Sequence, residues 1–96
     1  MKSVRVCISG RVQGVWFRGW TEQQAVAMGL DGWVRNRRDG TVEALFAGDD
    51  GKVDHMITQC HEGPPAANVT EVRVVPDAGD HPPGFHPAGF KVHSTE

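Results

Sequence analysis

Polar and apolar residues alternate strictly over residues 3–9. Val4, Val6 and Ile8 fall on one side and Arg5, Cys7 and Ser9 on the other. A period of two predicts a strand with one face in a core. Gly10, Gln13 and Gly14 then mark a loop. From about Phe17 to Met28 the period lengthens, and Phe17, Trp20, Thr21, Gln24, Ala25 and Met28 form one stripe of a helix. Gly29 stands where a helix end needs a left-handed residue. A short strand from about Gly32 to Asn36 leads into Arg37-Arg38-Asp39-Gly40, whose Asp-Gly pair signals a hairpin. The returning strand puts Val42, Ala44 and Phe46 on one face. Gly48-Asp49-Asp50-Gly51 breaks it and offers an aspartate cap. A second helix is predicted from about Lys52 to Glu62, with Val53, Met56, Ile57 and Cys60 at helical spacing, and Gly63-Pro64-Pro65 ends it. A fourth strand, about Val69 to Val75, a loop from Pro76 to Gly89 and a last strand at Phe90–His93 complete the chain.

The order β-α-β-β-α-β plus a terminal strand predicts an α+β fold. It is the ferredoxin-like split βαβ sandwich, an antiparallel sheet with two helices on one face, formed by residues 1–96 as a single domain. Right-handed crossovers and the strand order 4-1-3-2 make strands one and two parallel, with strand three between them. The loop after strand one and the end of strand two then meet at one edge of the sheet.

Composition changes this picture little. At 96 residues there is room for one core. No apolar run approaches the ~18 residues of a membrane span. The N-terminus alternates like a strand and lacks the pattern of a secretory signal, so a cytoplasmic location is expected, with no membrane partner. The net charge of −2 conceals an asymmetry: residues 1–40 carry seven Lys/Arg against three Asp/Glu, and residues 41–96 carry three against nine. An anionic ligand is drawn to the first part, and the acidic remainder argues against a nucleic-acid track. Cys7 and Cys60 each fall in a periodic element and read as buried free thiols, with a disulfide as the lesser alternative.

The two candidate chemical segments meet at that sheet edge. Gly10-Arg-Val-Gln-Gly-Val-Trp-Phe-Arg18 is a glycine-punctuated loop that runs into a helix opening with arginine. Such a loop can aim backbone N–H groups at one anion while the guanidinium fork of Arg18 closes over it. Asn36, just before the hairpin turn, cannot act as a base, but its carbonyl can accept a hydrogen bond from a water and hold it in line. Other phosphatase chemistries fail on spacing. An arginine six residues beyond a cysteine nucleophile would be needed, and Gln13 and Ala66 stand there. No Gly-Lys-Ser/Thr follows a glycine run. His81 and His86 lie in a proline-rich loop without an acid or cysteine to complete a metal site, so neither a metal nor another cofactor is expected. A noncatalytic module binding RNA or a small anion is the rival reading. The strands lack the Phe/Tyr stacking pattern of RNA-binding sheets, and the chain has no tyrosine.

The loop segment, and Gly32-Trp-Val-Arg-Asn-Arg-Arg-Asp-Gly-Thr-Val-Glu43, resemble the two signatures of the acylphosphatase family. Gly63-Pro64 after the second helix fits as well. The resemblance implies an enzyme that hydrolyses the carboxyl–phosphate bond of small acyl phosphates. A monomer acting without metal or cofactor is the expectation, although the sequence leaves the oligomeric state open. The resemblance also implies that Arg18 and the loop amides bind the phosphoryl group and that Asn36 orients water. Gln13, Gly14, Val15, Trp16 and Phe17 would supply loop geometry or N–H groups, and Thr41 would support Asn36. The residue at Trp16 varies within the family. Arg37 stands where a threonine or serine often follows the asparagine.

Overall fold

The computed structural model describes residues 2–76 and 89–95. The order is β1 (Lys2–Arg11), α1 (Phe17–Ala27), β2 (Asp31–Asn36), β3 (Val42–Gly48), α2 (Asp50–Cys60), β4 (Asn68–Pro76) and β5 (Phe90–Val92). The five strands form one sheet in the order β4-β1-β3-β2-β5. The expected central order is therefore present. The terminal strand adds to the free edge of β2 and runs parallel to it, pairing Gly32 with Phe90 and Val34 with Val92. The sheet is thus antiparallel except at this one pair.

Register decides which residues meet the helices. Val6 opposes Ala44, and Val34 opposes the same Ala44 from the other side. Val6, Ile8, Val34, Val42, Ala44 and Phe46 are all fully buried against α1 and α2. Phe46 stacks on Phe90 at 5.7 Å between ring centroids, which ties β5 into this layer. The α1 stripe buries Phe17, Trp20, Thr21 and Ala25, and the α2 stripe buries Val53, Met56 and Cys60. Helix α2 starts two residues earlier than its apolar spacing indicates, because the Asp49 carboxylate accepts from the Lys52 N–H at 3.2 Å and caps it. Helix α1 ends as expected, with Gly29 at φ 69°. His55 and His61 are exposed on α2. Cys7 and Cys60 are free thiols; Cys60 is buried as expected, but Cys7 is only half-buried, because it lies on the sheet face away from the helices, opposite Glu43. His81, His86 and most of the predicted 76–89 loop lie outside the described residues.

The other face of the sheet is not a plain solvated surface. Trp33 and Leu45 are buried there, with the Arg35 guanidinium 4.8 Å from the Trp33 ring. Arg35 pairs with Glu43 at 2.8 Å, Arg37 with Glu43 at 3.4 Å and Arg5 with Glu43 at 3.7 Å. Much of the positive charge of residues 1–40 is therefore gathered around one carboxylate, on the face away from the helices. The charge asymmetry of the sequence overstates the field available to a ligand at the loop.

Candidate active site

Strands β1 and β2 run parallel on either side of β3, so the loop after β1 and the end of β2 lie at the same edge. Between them opens a pocket of about 280 Å³. The described residues lining it are Val12, Gly14, Trp16, Phe17, Arg18, Gly19, Asn36 and Val92. Among these, Arg18 is the one charged side chain.

Each element contributes for a local reason. The loop turns through Gly14 at φ 74°, where an added Cβ would meet nothing within 4 Å. Glycine is favoured there by conformation and not by space. Trp16 also adopts a left-handed conformation, at φ 67° and ψ 25°, and is the N-cap of α1 without any side-chain cap hydrogen bond. The first intrahelical bond from this end is Trp20 N–H to Trp16 C=O at 3.0 Å. The N–H groups of the first turn are left without helical partners, and no acid occupies that turn. Such an end carries partial positive charge and favours an anion.

Arg18 is half-buried, and its Nη1 donates to the backbone carbonyl of His93 at 3.4 Å. That carbonyl follows β5, whose chain is fixed to β2 by His93 N–H donating to Val34 C=O at 2.8 Å. Asn36 is the last residue of β2 and opposes the buried Val42. It therefore shares the helix-bearing face of the sheet with Val34, at the point where the apolar core gives way to the pocket. It is one of the residues lining the pocket, and its carboxamide makes no hydrogen bond among the described residues.

The remaining predicted residues divide. Gly14, Trp16 and Phe17 line the pocket, although the Phe17 ring is buried and meets Trp20 edge-on at 5.3 Å. Gln13 and Val15 are not among the lining residues. Val15 is buried in the core. The Gln13 amide nitrogen donates to the carbonyls of Arg37 at 2.7 Å and Thr41 at 2.9 Å, bracing the loop against the β2–β3 hairpin. The Thr41 hydroxyl donates to Asp39 at 2.7 Å within that turn, and so its proton is directed away from Asn36. The same hydroxyl, with the Thr41 N–H, holds the exposed Asp39 carboxyl below its ordinary range.

Three contributors to the pocket, the His93 carbonyl, Val92 and Gly19, carried no signal in the sequence as site residues. The His93 carbonyl acts through backbone, which any residue could supply. Val92 reaches the pocket because β5 joins the edge of β2. Gly19 leaves room for the Trp16 indole, since a Cβ there would overlap the ring and make it shift. Gly63 is likewise held against the Phe17 ring, which a Cβ would meet at 2.7 Å, so the end of α2 seats the start of α1. Burial pushes the Cys60 thiol up to about 12, which keeps it protonated and out of nucleophilic chemistry at neutral pH. Among the described residues no three His, Cys, Asp or Glu side chains come together as a metal-binding group. Among the described residues no helix is long and apolar enough to cross a membrane.

Comparison with known proteins shows the family. The acylphosphatase family model matches residues 4–90. An acylphosphatase of Rhodospirillum rubrum is 56% identical over 85 residues, covering 88% of this chain and 93% of the relative. The crystal structure of acylphosphatase from Bacillus subtilis superposes with a TM-score of 0.84 at 33% identity, covering 97% of this chain and 99% of that one. The structure of an acylphosphatase from Coxiella burnetii gives 0.82 at 30% identity, over 96% and 92% of the two chains. With its model matched over nearly the whole length and half or more of the residues shared with close relatives, the chain belongs to the acylphosphatase family.

Proposed function

We propose that this enzyme hydrolyses the carboxyl–phosphate bond of small acyl phosphates, with Arg18 and the first-turn amides of α1 binding the phosphoryl group and Asn36 holding the attacking water. The observation that carries the proposal is the convergence of these groups on one pocket without an acidic side chain among its described lining residues. Phosphoryl transfer needs positioning and charge stabilisation more than covalent help. The guanidinium fork of Arg18 and the N–H groups match phosphate oxygens and stabilise the charge they carry in the transition state. The Asn36 carbonyl accepts from water and aims its lone pair at phosphorus. Water oxygen bonds to phosphorus as the bridging P–O bond breaks, and that bond's electron pair leaves on the carboxylate. The water's proton passes to a phosphoryl oxygen. The products are a carboxylate and inorganic phosphate. Gly14, Trp16 and Phe17 shape the cradle, Gln13 and Val15 fix the loop, and the Thr41 carbonyl, which accepts from the Arg37 N–H, holds the turn that follows Asn36. The proposal takes residues 1–96 as one domain, acting as a monomer in the cytoplasm, with neither metal nor cofactor.

A carboxylate is a weak base and leaves without a general acid, whereas an alkoxide does not. The test is turnover of benzoyl phosphate against an alkyl phosphate ester, before and after exhaustive chelation. Fast hydrolysis of the anhydride alone, undiminished by chelation, is the expected result. Comparable turnover of the ester, or a loss restored by zinc or magnesium, would overturn it.

A further inference from the structure

Helix α1 has a second, outward stripe that the phosphoryl chemistry does not use. Trp16, Gly19, Gln23 and Val26 succeed one another at spacings of three and four residues, so they lie along one side of the helix. Together with Glu22 they line a shallow groove of about 380 Å³. The groove shares Trp16 and Gly19 with the anion pocket, so the two adjoin at these residues.

Three features of this stripe run against ordinary folding preferences. Trp16 is 61% exposed and Val26 60%, the two most exposed of the large apolar side chains described. Trp16 is also the single non-glycine residue at positive φ among the described residues, a conformation that disfavours a side chain. Helix α1 then places glycine at position 19, which lowers helix propensity, and the indole lies against that bare backbone. The ring thus has a seat beside Arg18 and remains open to solvent on its outer surface. Backbone strain and an exposed aromatic at the rim of a pocket fit a residue held for a ligand.

We infer that the groove over Trp16 and Gly19 receives the acyl group of the substrate and selects uncharged, flat or apolar acyl chains, aromatic ones above all. The inference rests on the phosphoryl-site reading of the neighbouring pocket. With phosphate at Arg18 and the α1 amides, the bridging oxygen must leave the cradle on the side away from the incoming water. Asn36 lies on the sheet side, so the departing carboxylate is directed toward the exposed side of α1, where Trp16 is. An aryl ring there meets the indole face, an arrangement that aromatic pairs favour. Glu22 at the rim repels an acyl group carrying its own carboxylate.

The experiment compares benzoyl phosphate with acetyl phosphate as kcat/KM in the parent enzyme and in Trp16→Gly and Gly19→Ala. Inorganic phosphate is titrated as an inhibitor of each. Glycine at position 16 removes the ring but favours the same backbone conformation. Alanine at 19 keeps the ring and takes away its seat. The benzoyl-to-acetyl ratio cancels intrinsic reactivity when variant is compared with parent. It is expected to fall about tenfold in both variants, mostly through KM for benzoyl phosphate, the scale of one lost apolar contact in a binding pocket. An unchanged ratio in both variants would overturn the inference. So would equal losses on both substrates together with lost phosphate inhibition, since the tryptophan would then only shape the cradle. Failure of the underlying reading looks different: the parent enzyme would hydrolyse neither acyl phosphate, and both proposals would fall.

Discussion

Arg18 and Asn36 reach the same pocket by different physical routes. Arg18 is the second residue of α1, half-buried, with Nη1 on the His93 carbonyl, and it lines the pocket. Lysine at this position keeps the charge and loses the planar fork. For Arg18→Lys, kcat is expected to fall about 10²-fold, the scale of one lost transition-state donor. Inhibition by inorganic phosphate should weaken about tenfold, equivalent to about 1.4 kcal/mol. Steady-state kinetics with phosphate as competitive inhibitor checks both, and a variant with near-parent kcat would remove Arg18 from the chemistry. Arg18 and Asn36 were legible because their chemistry resides in side chains at fixed distances from glycines and a hairpin signal. Trp16 was legible as a loop residue, but not as the residue that takes positive φ, since glycine is the usual choice there. The support that the His93 carbonyl gives Arg18 is a backbone contact between residues 75 positions apart, and no side-chain pattern encodes it.

At the scale of elements, the loop between β1 and α1 is held by a neighbour and not by itself. Gln13 bridges it to the carbonyls of Arg37 and Thr41, and Thr41 C=O also accepts from Arg37 N–H at 2.8 Å. One side chain thus sets the distance between the anion cradle and the strand that ends in Asn36. Gln13→Ala removes both bonds and should lower stability by about 1–2 kcal/mol in urea unfolding. It should also reduce kcat by roughly 10-fold to 10²-fold, because a displaced loop separates the phosphoryl group from its water. A loss of stability with unaltered kcat would show that the brace serves the fold alone. The elements themselves were readable from period and punctuation. The exceptions were α2, whose capped first turn has no apolar residue to mark it, and β5. Phe90 and Val92 read as strand, but three residues cannot announce a parallel partner. Their place beside β2 follows from the free edge β2 presents and from the Phe46–Phe90 stack.

For the whole molecule, topology makes the site. Inserting β3 between β1 and β2 sends both parallel strands to one edge, and β5 closes that edge with Val92. This convergence could be deduced from element order alone. The distribution of charge could not, because it depends on which face each arginine occupies. Arg5, Arg35 and Arg37 alternate onto the face away from the helices and share Glu43, so they do not add to the pocket. The central claim is that convergence brings an anion clamp and a separate water-positioning amide together. It is tested most directly by Asn36→Ala, with turnover of an acyl phosphate and inhibition by inorganic phosphate measured on one preparation. The end-of-strand amide carries little packing, so the fold and phosphate binding should persist while kcat falls by roughly 10² or more, the cost of losing orientation. A kcat near that of the parent enzyme, or joint loss of phosphate binding and folding, would contradict the claim.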